Sequence, residues 1–222
     1  MSRMATHWDS LFWGGLVRRR LAPGVNGVAL SFDDGPDPRY TPAILDLLAA
    51  HSVRATFFLL ADQARRYPLL TRRIASEGHE LGSHGCSHRH PWRLSVPLAR
   101  QEVREAGRIL ADISGERIYW FRPPFGRLRR CMVLEAAAQG QRTVLWSRSA
   151  IDWGPWGTEA GVRRRLARVE NGDVVLLHDA PNRHNRPEVT VGILPDLLRR
   201  WRETGLRSST LTDSLRTQPN PA

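Results

Sequence analysis

The sequence predicts a single-domain α/β fold in which parallel strands are covered by helices. Short apolar runs of strand length alternate with segments of helical periodicity along the chain, as in proteins built from successive strand–helix units. Polar side chains follow several of these runs directly, which is where a TIM-barrel-like fold places its active site. At 222 residues and 41% hydrophobic, the chain is long enough to bury one full core.

Seven strands and three helices are predicted from these patterns. The strands lie at residues 27–32, 55–60, 80–83, 117–121, 143–146, 174–178 and 207–211. The first helix is expected to begin at Thr41, because a capping residue followed by Pro42 is a favoured helix start. Further helices are predicted over residues 67–77 and 95–113, and the second of these has apolar residues near a period of 3.6.

Two adjacent carboxylates, Asp33 and Asp34, follow the first predicted strand, and Gly35 and Pro36 come next. Neighbouring side chains on a strand point to opposite faces, so a bend at Gly35 is expected to let both carboxylates reach one cavity. Two carboxylates that close to each other repel unless a cation compensates their charge. This turn therefore predicts a nearby cation site.

The segment His84-Gly85-Cys86-Ser87-His88 offers further ligands for such a cation. Histidines four residues apart share one face of a helical turn, so a helical turn is expected here. One Asp and two His form a common ligand set for zinc and similar ions, and they leave a position for water and substrate. Ordinary surface or capping histidines are the alternative, and the Asp-Asp turn in the same chain favours a metal site.

Five segments together resemble the ordered motifs of the polysaccharide deacetylases of the NodB-homology type, carbohydrate esterase family four. They are residues 31–36, 84–88, 122–126, 152–153 and 176–179, and the resemblance extends over residues 27–211. Phe125 stands where the family has Tyr, and Ser149 stands where it has the first Asp of its fourth motif. The resemblance implies a distorted (β/α)7 barrel with an open groove. Residues 1–26 would then be an N-terminal extension, 27–215 the deacetylase domain and 216–222 a C-terminal tail.

The resemblance also implies a role for each motif residue. It assigns the metal to Asp34, His84 and His88. It makes Asp33 the general base, pairs Arg122 with that base, and makes His178 the general acid. Substrate or oxyanion contacts are implied for the backbone N–H of Phe125 and for the side chains of Asp152, Trp153 and Leu176. Two roles stay open for Asp152, which could tune His178 or contact sugar.

The implied function is a metal-dependent hydrolase that removes N-acetyl groups from amino sugars and releases acetate. Zinc is the metal favoured by the ligand types, and cobalt, nickel or iron(II) fit the same set. An O-acetyl esterase acting on a polysaccharide is the nearest alternative. A catalytically silent sugar-binding domain is a further one, although a binder would need neither a base at Asp33 nor an acid at His178.

Composition limits the partners and the location of the protein. The net charge is +11, and all 33 basic residues are Arg, scattered in short runs without the aromatic interleaving of a nucleic-acid surface. We therefore expect an acetylated amino-sugar substrate and no nucleic acid. The apolar run at residues 11–17 is too short to span a membrane and predicts a helix packed on the barrel. A weaker alternative is membrane-surface contact through Trp8, Phe12 and Trp13. The expected location is cytoplasmic.

Overall fold

Strands and helices alternate along the part of the chain that the computed structural model describes, which is residue 13 and residues 15–216. The strands are β1 Val17–Arg18, β2 Val28–Asp33, β3 Thr56–Leu59, β4 Glu80–Ser83, β5 Trp120–Phe121, β6 Arg142–Val144, β7 Arg148–Ser149, β8 Val174–His178 and β9 Ser208–Ser209. The helices are α1 Thr41–Ala50, α2 Ala61–Arg66, α3 Pro68–Ser76, α4 Val96–Ser114, α5 Arg130–Ala138, α6 Glu159–Leu166, α7 Pro187–Glu203 and α8 Asp213–Arg216.

All strand pairs of the sheet are parallel, in the order β1-β6-β5-β4-β3-β2-β8-β7, and β9 also pairs with β2. Only residues 145–147 separate β6, near one end of this order, from β7 at the other end. That short segment therefore carries the chain between the two ends, and the sheet curls into a barrel. The predicted α/β barrel class is confirmed.

The longer strands are close to their predicted bounds, whereas the short ones differ. β4 and β8 match their predictions, but the strand predicted over 117–121 is limited to Trp120–Phe121, and only Ser208–Ser209 form a strand within 207–211. β1 and β7 were not predicted, because two residues are too few to show a periodic pattern. A separate helix, α2, precedes the helix predicted over 67–77.

Alternation along the central strands separates the barrel interior from the core beneath the helices. On β2, Val28, Leu30 and Phe32 pack in a core with residues of α1 and α7, including Ile44 and Leu194. The intervening residues of β2 face the barrel interior. At its lower end this interior is apolar, with Ala29, Phe58 and Trp120 in one cluster. The same alternation applies to β8 and directs its residues 174, 176 and 178 inward.

Residues near the chain termini bear on three predictions. Val17–Arg18 fall within the predicted N-terminal extension and form β1, which pairs with β6; the division into extension, domain and tail stays a prediction. Residues 11, 12 and 14 of the predicted helix at 11–17 lie outside the described residues, as do Trp8 and residues 217–222. The helix is wrong at its end, because residues 15 and 16 form a turn and Val17 begins β1. Trp13 packs against the small cluster of Val17 and two other apolar residues. None of the helices in the described ranges is both long and apolar enough to cross a membrane.

Candidate active site

A cavity of about 460 Å³ opens at the carboxyl ends of the barrel strands. Its walls come from the segments that follow β2, β4, β5 and β8, together with residues from the loop after β7. These are the segments that carry the predicted motif residues. The barrel therefore brings together at one end side chains that lie far apart in the sequence.

The two adjacent carboxylates reach this cavity by a bend at Asp34. Asp33 is the last residue of β2, and Asp34 has a left-handed backbone with φ of 79°, which turns its side chain toward the same cavity. The bend expected at Gly35 is therefore located one residue earlier. Gly35 is needed for close approach, since a Cβ there would collide with the carboxylate of Asp179, which accepts the Gly35 N–H at 3.1 Å.

His84 and His88 also converge on the cavity, but they lie in a loop, so the expected helical turn is wrong. The loop begins after β4 and reverses through left-handed backbone at Gly85 (φ 83°) and His88 (φ 55°). His84 Nδ1 lies 2.7 Å from the carbonyl oxygen of Arg122. A carbonyl can only accept, so Nδ1 carries the proton and Nε2 presents its lone pair to the cavity.

Asp34, His84 and His88 fit a divalent metal ion. Their ligand atoms all lie within 4.8 Å of one another, and Asp34 Oδ1 is 3.4 Å from His84 Nε2 and 3.1 Å from His88 Nε2. Asp34 Oδ1 is buried and has no hydrogen-bond partner, which is costly unless a ligand occupies the site. Burial lowers the pKa of His84 to about 3 despite the opposing charge of Asp34, so the ring is neutral, as a metal ligand must be.

Asp33 forms a buried ion pair with Arg122. Arg122 Nη1 lies 2.6 Å from Asp33 Oδ1, and both side chains are almost completely buried. The same nitrogen donates to the hydroxyl of Ser31, and the guanidinium lies 3.9 Å above the ring centre of Phe58. Burial raises the pKa of Asp33 above its ordinary value, and the charge of Arg122 limits that rise.

Asp152 holds the ring of His178 through a hydrogen bond at Nδ1. The ring Nδ1 lies 2.8 Å from Asp152 Oδ1, while the backbone N–H of His178 and the hydroxyl of Thr190 donate to Oδ2. Asp152 is fully buried, so the contact with sugar that the sequence left open is wrong and the contact with His178 is found. Burial lowers the pKa of His178, but the charge and hydrogen bond of Asp152 outweigh it and, with Asp34, raise the pKa to about 9.

The remaining predicted residues form the walls of the cavity. Leu176 points inward two residues before His178 on β8. The ring of Trp153 is nearly perpendicular to that of His178, at 5.4 Å between centres. Phe125 has a left-handed backbone with φ of 58°, and its N–H donates to no other group within the described residues. That N–H is therefore free to bind a ligand.

Sequence reasoning missed Asn182 and Asn185. Both side-chain amides donate to Asp34 Oδ2, at 2.9 and 2.6 Å. They occupy this oxygen and leave Oδ1 to face the two histidines. The segment that carries them has the composition of an ordinary polar loop, and its position directly after the 176–179 motif is the only signal in the sequence.

The fold and the site together define a class, the barrel hydrolases that use a divalent metal. The sequence profile of the polysaccharide deacetylases matches residues 21–144, and the chain belongs to that family.

Named relatives agree with this membership. A peptidoglycan-N-acetylglucosamine deacetylase of Bacillus cereus is 34% identical over 85% of this chain and 88% of its own length. A chitooligosaccharide deacetylase of Sinorhizobium fredii is 36% identical over 72% of this chain and 75% of its own. The crystal structure of the Bc1960 peptidoglycan N-acetylglucosamine deacetylase superposes with a TM-score of 0.86 at 30% identity, and covers 96% of this chain and 100% of that one.

Membership of the family confirms three predictions, namely the resemblance itself, the distorted (β/α)7 barrel and the assignment to carbohydrate N-deacetylases. A pseudoenzyme of carbohydrate esterase family four from Bacillus anthracis is also similar, with a TM-score of 0.80 at 25% identity over 90% of this chain and 68% of that one. Because the fold also occurs in a pseudoenzyme, the mechanism must be argued from the side chains of the site.

Replacing Asn185 by Ala is expected to weaken binding of zinc by about 10- to 100-fold, because partners that orient a ligating carboxylate contribute that much to affinity. Competition with a chromophoric chelator measures this change without any assay of activity. The matched control is Asn26→Ala, an exposed asparagine before β2 at the other end of the barrel. Equal zinc affinity in the Asn185 variant and the control would contradict the prediction.

Replacing Asp152 by Asn is expected to lower the pKa of His178 from its value of about 9. The substitution removes the negative charge that stabilises the protonated ring, and burial then favours the neutral ring. A histidine is protonated below its pKa, so the variant loses the charged ring at a lower pH than the parent protein. NMR titration of the His178 ring in both metal-free proteins measures the change. Equal titration midpoints of His178 in the two proteins would show that Asp152 does not raise the pKa of the ring.

Proposed function

We propose that this deacetylase hydrolyses the N-acetyl group of an amino sugar with Asp33 as general base and His178 as general acid. The observation that carries this proposal is the register of β2 and β8. Asp33 and His178 are direct partners across these neighbouring parallel strands, and both face the cavity. Amide hydrolysis requires a general base and a general acid close to the metal, and a carboxylate and an imidazole paired across neighbouring strands provide both.

Asp34, His84 and His88 are the residues proposed to hold the metal. A bound divalent ion supplies Lewis acidity, which polarises the acetyl carbonyl and lowers the pKa of water. Zinc suits two histidines and a carboxylate, and cobalt, nickel and iron(II) are the other candidates.

Asp33 takes the proton of the attacking water. Arg122 Nη1 holds Asp33 Oδ1 by a hydrogen bond of 2.6 Å. The other oxygen of Asp33, Oδ2, lies 3.8 Å from His84 Nε2. The raised pKa of Asp33 makes it a stronger base than an exposed aspartate. The backbone N–H of Phe125 is proposed to donate to the oxygen on which negative charge develops, a contact of the kind that lowers a barrier by about 2.7–4 kcal/mol.

His178 supplies the proton that the leaving amine needs, because an amine anion is too poor a leaving group. Asp152 holds the Nδ1 side of the ring, so the Nε2 proton faces the cavity. The raised pKa of His178 keeps that proton in place at neutral pH. Leu176 and Trp153 are proposed to enclose the acetyl methyl group and one face of the sugar.

The alternatives differ in the bond that is cleaved or in the absence of cleavage. An O-acetyl esterase would use the same base and metal but would need no strong acid at His178. A silent sugar-binding domain would need neither Asp33 nor His178, and the hydrogen bonds that hold both groups support an enzyme. A cytoplasmic location and the absence of nucleic acid among the partners stay predictions.

Acetate release tests the proposal directly. The substrates are N-acetylglucosamine oligomers, peptidoglycan fragments, an N-acetylated glycolipid and acetylated xylan, each assayed before chelation, after chelation and after zinc or cobalt is restored. We expect acetate from one or more N-acetylated sugars, loss of release on chelation and recovery with metal. Release from xylan alone would identify an esterase, and no release by the metal-loaded protein would favour a silent site.

Replacing Asp33 by Asn is expected to reduce turnover by about 10²–10⁴-fold while zinc binding is kept, because the amide cannot accept the proton of water. Both Asn and Ala remove the charge that compensates the buried Arg122, a loss of about 3–5 kcal/mol, but Asn keeps an oxygen that accepts the hydrogen bond of Arg122. His84→Ala is the comparison variant and is expected to lose zinc and turnover together. Undiminished turnover in Asp33→Asn, measured as acetate release with zinc content checked, would contradict the mechanism.

A further inference from the structure

A continuous row of rings extends from the metal-ligand cluster to the protein surface. It consists of His88, Phe125, His90 and Trp92, and we call it the ring row. Successive ring centres are 4.3 Å apart from His88 to Phe125, 5.3 Å from Phe125 to His90, and 5.7 Å from His90 to Trp92. The first three line the active-site cavity, and Trp92 continues beyond it.

The outer part of the ring row is exposed yet firmly held. Phe125 is 52% exposed and Trp92 62%, an unusual exposure for large aromatic side chains. The Trp92 indole N–H donates to the carbonyl of Leu128 at 3.2 Å, and its backbone N–H donates to His90 Nδ1 at 3.3 Å. Arg129 fastens the same loop by donating to the carbonyls on both sides of it, at residues 91 and 94. The rings are therefore preorganised for a ligand.

Arg127 places a positive charge beside this surface. Its guanidinium carbon is 5.4 Å from the centre of the Trp92 ring, and its side chain lines the cavity. No carboxylate in the described part of the chain lies within ion-pair distance of it. The two carboxylates that line the cavity, Asp33 and Asp34, are buried at its base and hydrogen-bonded to other residues. The open side of the cavity therefore offers an unpaired cation next to an apolar platform.

We infer that the ring row and Arg127 bind the sugars that neighbour the reacting residue, in a glycan whose neighbouring sugar carries a carboxylate. The inference rests on the proposed function and adds the class of substrate. Aromatic faces pack against the C–H faces of sugar rings and leave the hydroxyl groups in water. An arginine fork binds a carboxylate through two parallel hydrogen bonds, which a neutral sugar cannot provide.

The first test concerns chain length. In Trp92→Ala we expect kcat/KM for the N-acetylglucosamine tetramer to fall about tenfold through KM, since a stacking platform contributes to binding and not to the chemical step. The same variant is expected to leave the dimer unaffected, and Trp92→Phe is expected to keep most of the activity on the tetramer. Trp156→Ala is the matched control, because Trp156 is 69% exposed and lies outside the row.

The second test concerns charge. The probe is a tetramer that alternates N-acetylglucosamine and N-acetylmuramic acid, compared with the uncharged N-acetylglucosamine tetramer. In Arg127→Gln we expect about a tenfold loss of kcat/KM on the carboxylated tetramer only, and that loss should shrink as salt is added. Arg117→Gln is the matched control, because Arg117 stacks on exposed Tyr119 at 5.1 Å before β5, at the opposite end of the barrel.

The outcomes separate this inference from the proposed function. The parent protein could release acetate from substrates of every length and charge, with no change in the Trp92 or Arg127 variant. That result would overturn the inference and leave the proposed function intact. Equal losses of kcat/KM on both tetramers in Arg127→Gln would contradict the inference that Arg127 binds a carboxylate of the substrate. If the parent protein releases no acetate from any substrate, the function fails, and tetramer binding followed by tryptophan fluorescence then decides the inference. Binding that does not depend on Trp92 would overturn it.

Discussion

Arg122 introduces a positive charge into the barrel interior, where a lone guanidinium would be strongly destabilising. Asp33 compensates that charge, and a carbonyl at residue 145 and the Ser31 hydroxyl take further N–H groups. The backbone carbonyl of Arg122 meanwhile fixes the tautomer of His84. One residue at the end of β5 therefore orients both the proposed base and a proposed metal ligand. The geometry of the two is coupled, because displacement of Arg122 would disturb both at once.

Four buried carboxylates lie at this end of the barrel, and each is compensated differently. Asp33 has Arg122, and Asp152 has His178. Asp34 accepts two amide hydrogen bonds on one oxygen and keeps the other for a metal. Burial raises the pKa of Asp179 to about 7, and its carboxyl group is held by the Thr41 hydroxyl and the Gly35 N–H. Because each carboxyl group has its own partners, four acidic groups can lie close together without their mutual repulsion destabilising the fold.

The sequence predicts the barrel and the chemical groups better than it predicts the local backbone. Strand β8 follows from a short apolar run, whereas β1 and β7 consist of two residues each and are determined by pairing with distant strands. The spacing of His84 and His88 predicts a helical turn, but glycine at 85 allows a loop that reaches the same convergence. Asn182 could not be recognised, because a polar loop residue looks the same whether it faces water or a carboxylate.

Left-handed backbone is concentrated in the motif segments and directly beside them. Within the described ranges, five residues other than glycine have positive φ, and four of them are Asp34, His88, Phe125 and Ile151. Each such residue costs about 1–2 kcal/mol relative to a relaxed conformation, and the branched side chain at 151 is the least suited to it. Mutations that relax these positions would lose the site and gain stability. The strained backbone of the site is therefore a cost in folding stability that the geometry of the ligand and donor groups requires.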